Sequence, residues 1–315
     1  MTTFLIILAI LAGLAIVFLL TTFVCFIITF YSPKRTEKKL KHYKLPPGKA
    51  YLKYKEEIFA GVEKLNNLPY KDVEIKSFDG LVLKGKYFEH KKGAPIELMM
   101  HGYRGRSEMD LAFGVFRAFE HGRNALLVDH RAAGRSQGRI ITFGAKESKD
   151  CQYWIDYIIQ TFGSDSKIIL TGISMGAATV MITAGKDLPK NVVGVIADCG
   201  YTSAKEIIKK VIKQMHLPVG LTYFFINLGA RIFGNFKIED ASPIECLKNS
   251  KVPIVFFHGE EDCFVPCDMS IKNYEACCSK KHLCLIKNAD HGLAFMVDRD
   301  EYLKVLKDFA KECGL

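Results

Sequence analysis

A chain of 315 residues with 49% hydrophobic and 25% charged side chains is long enough for one large globular body plus an appendage, and too long to need disulfide staples or a structural metal for its stability. Its net charge of +10 is not spread over the surface: nine Lys and Arg against the single Glu37 put +8 of it in residues 34–55, leaving +2 for residues 56–315. That distribution excludes a nucleic-acid interface on the body and points to contact with anionic lipid headgroups.

Residues 4–31 carry no charge and are almost wholly apolar, about 28 residues or roughly 40 Å of helix, enough to cross a bilayer with some tilt. Met1-Thr2-Thr3 lacks the basic start of a signal peptide, and Thr29-Phe30-Tyr31-Ser32 lacks its small-residue cleavage site, so residues 1–32 read as a single transmembrane anchor. Lys and Arg crowd the C-terminal flank only, which places the body in the cytoplasm and the N-terminus outside. Residues 33–69 follow as a basic juxtamembrane linker, interrupted at Pro46-Pro47-Gly48, and a helix over 50–66.

From residue 70 the pattern changes. Two alternating runs, 73–78 and 81–88, flank Asp79-Gly80 and predict an antiparallel hairpin. Short apolar runs then recur at 96–100, 125–128, 168–170, 192–197, 254–257 and 283–286, separated by amphipathic stretches at 107–120, 145–162, 175–187, 268–279 and 299–312. Such β/α alternation predicts an α/β fold with a mostly parallel sheet wrapped by helices, over residues 70–315. The interval between the runs at 192–197 and 254–257 is too long for a simple crossover, and residues 201–245, with the apolar stretch 221–236, are assigned to a small helical cap. The ten cysteines show no even spacing, which suits reduced thiols better than a disulfide framework. Cys263, Cys267, Cys277 and Cys278 lack the matching C-x2-C and His set of a zinc site, so neither metal nor cofactor is expected.

The chemistry concentrates at Gly172-Ile173-Ser174-Met175-Gly176, directly after an apolar run. A serine between two glycines at this spacing marks a strand-to-helix turn too tight for side chains two positions away, one that holds the hydroxyl exposed. Such a serine needs a base to take its proton and an acid to hold that base in the right tautomer. Two later loops supply both: His258-Gly259-Glu260-Glu261-Asp262-Cys263-Phe264-Val265-Pro266 and Asn288-Ala289-Asp290-His291-Gly292. Asp198, at the end of an earlier strand, is a second candidate for the acid.

Together with Met100-His101-Gly102-Tyr103-Arg104-Gly105 and Asp129-His130-Arg131-Ala132-Ala133-Gly134-Arg135-Ser136, these segments occur in the order found in the α/β-hydrolase superfamily. The chain resembles its bacterial carboxylesterases, dienelactone hydrolases and prolyl-oligopeptidase-type catalytic domains across residues 70–315. The resemblance implies Ser174 as nucleophile, His291 as general base and then acid, and Asp262 as the orienting carboxylate, four residues after His258 in the family pattern H-G-x-x-D-x-x-V-P. It also implies an oxyanion hole made by the backbone N–H groups of Tyr103 and Met175, and structural roles for Asp129, Arg131, His101 and His258. The activity implied is hydrolysis of a carboxylic ester or thioester, with lipid-like substrates favoured by the anchor and basic segment. A peptidase of prolyl-oligopeptidase type and a catalytically silent scaffold are the alternatives. The partners expected are a small-molecule substrate and membrane lipids, and no nucleic acid.

Overall fold

A computed structural model describes residues 1–33, 43–45 and 48–315; part of the expected basic linker, residues 34–42 and 46–47, lies outside the described residues. The first element is helix α1 (Thr2–Phe30), 29 residues without a charge, matching the span expected at 4–31. The helix expected over 50–66 is broken at Tyr54 into α2 (Lys49–Lys53) and α3 (Lys55–Asn66).

Eight strands form one sheet: β1 (Lys71–Lys76), β2 (Val82–Phe88), β3 (Ile96–Met100), β4 (Asn124–Val128), β5 (Ile168–Ile173), β6 (Val192–Asp198), β7 (Ile254–Gly259) and β8 (Lys281–Ile286), in the order β1-β2-β4-β3-β5-β6-β7-β8. The β1–β2 hairpin and the β2–β4 pair are antiparallel and every other neighbour is parallel. At the hairpin turn Gly80 takes φ +86°, and the ladder closes through Ser77 N–H donating to the Leu81 carbonyl at 2.8 Å. Between the strands lie α4 (Ser107–Glu120), α5 (Glu147–Phe162), α6 (Met175–Ala184), α7 (Ala204–Gln214), α8 (Val219–Ile232), α9 (Pro243–Leu247), α10 (Asp268–Ala276), α11 (Ala294–Val297) and α12 (Arg299–Glu312).

The inner strands β3 to β7 read as nearly continuous apolar runs because both sheet faces are covered there. Leu98, Leu126, Leu170, Val195 and Phe256 meet Trp154 and Ile158 of α5 on one face. Their neighbours Ile169, Ile196, Val255 and Phe257 meet Tyr302, Leu306 and Phe309 of α12 on the other, the alternation that a period of two requires. Beside this face, Met99 and Leu127 pack with Val62 and Leu65 of α3 and Leu111 and Val115 of α4.

The C-terminal third of α1 belongs to this body. Thr22, Phe26 and Phe30, four residues apart and so on one helix face, are its buried positions, while its residues 4–20 carry exposed side chains. Phe30 meets Phe143 and Phe236 edge-on at centroid distances of 5.8 and 5.1 Å. Backbone pairing continues past the helix, with Ile141 N–H donating to the Phe30 carbonyl and Ser32 N–H to that of Arg139, at 2.9 and 2.8 Å. Residues 201–245 contain α7, α8 and the start of α9, and α8 lies along α1 with the Phe18 ring tilted against those of Phe224 and Phe225.

Candidate active site

Each loop that carries a candidate group leaves the sheet at its carboxyl edge, the end of a parallel sheet where ligands bind. Ser174 follows β5, Asp262 follows β7, His291 follows β8 and the 102–105 loop follows β3. Ser174 sits between β5 and α6 with φ 56° and ψ −117°, a conformation that costs a non-glycine residue about 1–3 kcal/mol. The turn is held by Ser174 N–H donating to the Asp198 carbonyl at 2.8 Å and Ala178 N–H to the Ser174 carbonyl at 3.0 Å. Both flanking glycines are sterically required: a Cβ on Gly172 would run into the Gly176 carbonyl, and one on Gly176 into the Met100 carbonyl.

Three candidate side chains converge here. His291 Nε2 lies 3.0 Å from Ser174 Oγ, and His291 Nδ1 lies 2.7 Å from Asp262 Oδ2. With a carboxylate facing Nδ1, the proton sits there and the Nε2 lone pair faces the serine hydroxyl. Asp262 is also the acceptor for His258 Nε2–H at 3.0 Å and, through Oδ1, for Phe264 and Val265 N–H at 2.8 and 2.7 Å. Burial alone would raise its pKa, but the hydrogen bonds from His258 and His291 outweigh it and hold the carboxyl far below the usual range. His258 is fixed from its other side by Ser270 Oγ at 2.6 Å. Asp290 ties the two loops together, one oxygen accepting from Cys263 N–H at 3.0 Å and His291 N–H at 2.8 Å.

Asp198, the second candidate for the acid, makes no hydrogen bond to His291 among the described residues. Its Oδ2 accepts from Tyr302 Oη at 3.1 Å and its Oδ1 is buried without a partner. Burial pushes its pKa up to about 6. Asp129 accepts from Ser107 Oγ and Arg135 N–H, both at 2.9 Å, and Arg131 bridges Asp150 and Asp79; both side chains stitch the loop after β4 and neither reaches the Ser174 hydroxyl.

Met175 follows the serine directly, and Tyr103 follows Gly102 in the loop beside it. Met175 opens α6, so its N–H has no acceptor within the helix, and neither amide donates within the described residues. The 102–105 loop is pinned from several sides. His101 Nδ1–H donates to the Gly102 carbonyl at 2.8 Å, Gly102 N–H donates to Asp110 Oδ2 at 2.9 Å, and a Cβ at Gly102 would sit 3.6 Å from Ser174 Cβ. The third anchor is α1 itself: Tyr103 Oη–H donates to the Thr29 carbonyl at 2.6 Å, and Arg104 donates to the carbonyls of Ile28 and Tyr31 at 2.8 and 3.0 Å. A guanidinium at a helix C-terminus satisfies orphan carbonyls and complements the helix dipole.

Reading the sequence missed Tyr51, Asp110 and this role of Arg104. Tyr51 of α2 donates from its hydroxyl to the His291 carbonyl at 2.6 Å, and burial pushes its pKa up. It lies in the segment outside the family resemblance, where no motif could flag it. A cavity of about 1540 Å³ opens over the serine, walled by apolar side chains that include Ile27, Ile28, Leu45, Met109, Phe113 and Phe295. No residue of 201–245 lines it among the described residues, so the segment assigned as the cap contributes no wall there; α8 instead packs its inner face against α1. Cys199 Sγ clusters with Asp262 and His291 within 4.8 Å, but burial first, then the charges of Asp198 and Asp262, push its thiol well up, which opposes the thiolate that metal binding needs.

The strand-elbow-helix, the convergent Ser, His and Asp, and the sheet order are those of an α/β-hydrolase fold. A model of the alpha/beta hydrolase fold matches residues 98–242, and the chain has the α/β-hydrolase fold, a mostly parallel sheet with the antiparallel β1–β2 hairpin. Among its relatives are the uncharacterised protein YqkD of Bacillus subtilis (25% identical over 193 residues, 60% of this chain and 62% of YqkD), so that the match spans less than two thirds of that protein, and protein bem46 of Schizosaccharomyces pombe (25% over 254 residues, 78% of each chain). The thiohydrolase apmlB of Arthrinium phaeospermum is 34% identical over 121 residues, 36% of this chain and 38% of its own. Among solved structures, the Pyrococcus furiosus esterase Pf2001 shares the fold with a TM-score of 0.65 at 21% identity, over 90% of this chain and 98% of its own. The Pyrococcus horikoshii acylaminoacyl peptidase does so at 0.57 and 19%, over 79% of this chain and 42% of its own.

Proposed function

We propose that the chain is a serine hydrolase that cleaves a carboxylic ester or thioester through an acyl-serine intermediate. The observation that carries this reading is the unbroken line from Ser174 Oγ through His291 to Asp262, at 3.0 and 2.7 Å. Ser174 Oγ attacks the acyl carbonyl while His291 Nε2 takes its proton, and Asp262 stabilises the imidazolium that forms. The oxyanion lies between the N–H groups of Met175 and Tyr103, where loss of one such donor costs about 10²–10³-fold in rate. His291 then protonates the departing alcohol or thiol, and water attacks the acyl-serine by the reverse route to release the acid.

Thioester hydrolysis is supported by the thiohydrolase relative, and an extended apolar acyl group by the cavity. At about 1540 Å³ it exceeds the roughly 300–1,000 Å³ usual for a small-ligand pocket, and its walls include the end of α1. In this reading residues 1–32 anchor the enzyme, 33–69 form the juxtamembrane segment, and 70–315 form the hydrolase body, in which 201–245 are a helical insertion packed against α1 and away from the cavity. The body faces the cytoplasm, a placement supported by the excess of Lys and Arg in residues 34–55. A fluorophosphonate probe applied to the full chain in detergent tests the chemistry. Wild-type protein should label and Ser174→Ala should not, with an unchanged melting temperature. Labelling that survives in Ser174→Ala, or that moves to Cys199, overturns the proposal.

A further inference from the structure

On a soluble protein, the outer face of a surface helix is polar. On α8 Leu221, Phe224 and Ile232 are exposed and Leu228 is half-buried, spaced by three, four and four residues along one face, while Ile226, Gly229 and Ala230 are buried against the body. Leu221, Phe224 and Ile232 are 60, 52 and 51% exposed, and Met215 at the end of α7 and Leu217 in the connecting turn are 56 and 42% exposed. Five large apolar side chains thus gather on one surface, a grouping that marks an interaction site.

Its position against α1 identifies the occupant. Phe224 and Phe225 tilt against Phe18 with centroids 6.2 and 5.3 Å from its ring, Gly229 meets Thr22 and Phe26, and Phe233 meets Phe23 and Phe26. The helix therefore runs beside residues 18–26 of α1, in the same direction. If α1 enters a bilayer at Phe4, a hydrocarbon core of ~30 Å at 1.5 Å per residue ends near residue 24. Phe18 then lies about 9 Å beneath that boundary, and Phe224 lies with it, within the roughly 5–10 Å depth of interfacial helices, while Leu221, three residues nearer the start of α8, lies about 5 Å deeper. Lys205, at the end of α7 away from the inserted turn, supplies charge suited to headgroups.

We infer that the α7–α8 turn and the outer face of α8 are seated in the bilayer leaflet beside α1, a second membrane contact of the chain, made by the inserted segment. It seats the body against the lipid surface on the side where α1 enters the cavity wall. The inference rests on α1 spanning the membrane and does not depend on Ser174 chemistry.

Tryptophan depth quenching tests it. Trp154 is the sole tryptophan and is buried, so it serves as background. Full-length Phe224→Trp, Leu221→Trp, Leu11→Trp and Tyr153→Trp are reconstituted in phosphatidylcholine–phosphatidylglycerol vesicles with or without brominated acyl chains, and titrated separately with iodide. Phe224→Trp and Leu221→Trp should lose most of the added emission to bromine and little to iodide, as Leu11→Trp does, while Tyr153→Trp shows the reverse. Iodide quenching of Phe224→Trp like that of Tyr153→Trp overturns the inference by placing the face in water. Protection from both quenchers also overturns it, by showing that a second copy or another protein covers the face. Failure of bromine to quench Leu11→Trp removes the span on which the inference stands.

Discussion

Two buried carboxylates at neighbouring strand ends have opposite surroundings. Asp262 receives four hydrogen bonds, whereas Asp198 receives one and leaves an oxygen unpartnered. Only the first can hold His291, so Asp262→Asn should lower kcat by about 10³–10⁴-fold through loss of the productive tautomer, and Asp198→Asn by far less; steady-state kinetics on a soluble ester reads the ranking, and the reverse order moves the acid to β6. Asp198 shows itself in stability instead. Its pKa is pushed up to about 6 in the fold against ~3.9 unfolded, so between those values the native state binds more protons than the unfolded one. Stability therefore falls as pH rises from about 4 to 6, by roughly 2–3 kcal/mol, and stays lowered above. Urea denaturation across that range should show a shallower fall in Asp198→Asn; an unaltered slope places the titration elsewhere.

At the scale of elements, α1 is tied to the loop beside Ser174. Its last turn accepts hydrogen bonds from Tyr103 and Arg104, which bracket the proposed oxyanion amide, and a net hydrogen bond of this kind contributes about 1 kcal/mol, more when charged. Tyr103→Phe combined with Arg104→Gln keeps the amide and the ring but frees the loop. We expect kcat on an activated ester to drop about 10-fold with KM little altered, the pattern of a group that acts in the transition state. Arg104→Lys should restore part of the loss. An unchanged kcat would separate the helix from the chemistry.

For the whole molecule, orientation is the open quantity with the sharpest readout. Cys263 and Cys278 are exposed free thiols. With the body in the cytoplasm, a membrane-impermeant maleimide should leave them unlabelled in intact cells and react after lysis. Labelling of intact cells would put the hydrolase outside, against the charge asymmetry of residues 34–55.

The sequence alone determined the order of strands and helices, the elbow at Ser174 and the apolar span, because each is local: period two, period 3.6, a glycine-flanked serine and an uncharged run are written in consecutive residues. Its helix limits erred where ends are decided by neighbours, as at Tyr54, where one expected helix became two, and at Ala184, where α6 stops short of the expected residue 187. What only the tertiary structure decided was which distant groups meet. The His258 bond that helps depress Asp262, the Tyr51 hydroxyl on the His291 carbonyl and the capping of α1 by Arg104 join residues 4, 240 and 76 positions apart. The last two leave no local trace in composition or spacing. The cavity wall is decided in the same way: Thr22, Phe26 and Phe30, four residues apart, bury one face of α1 in the body, and that packing brings Ile27 and Ile28 to the cavity over Ser174.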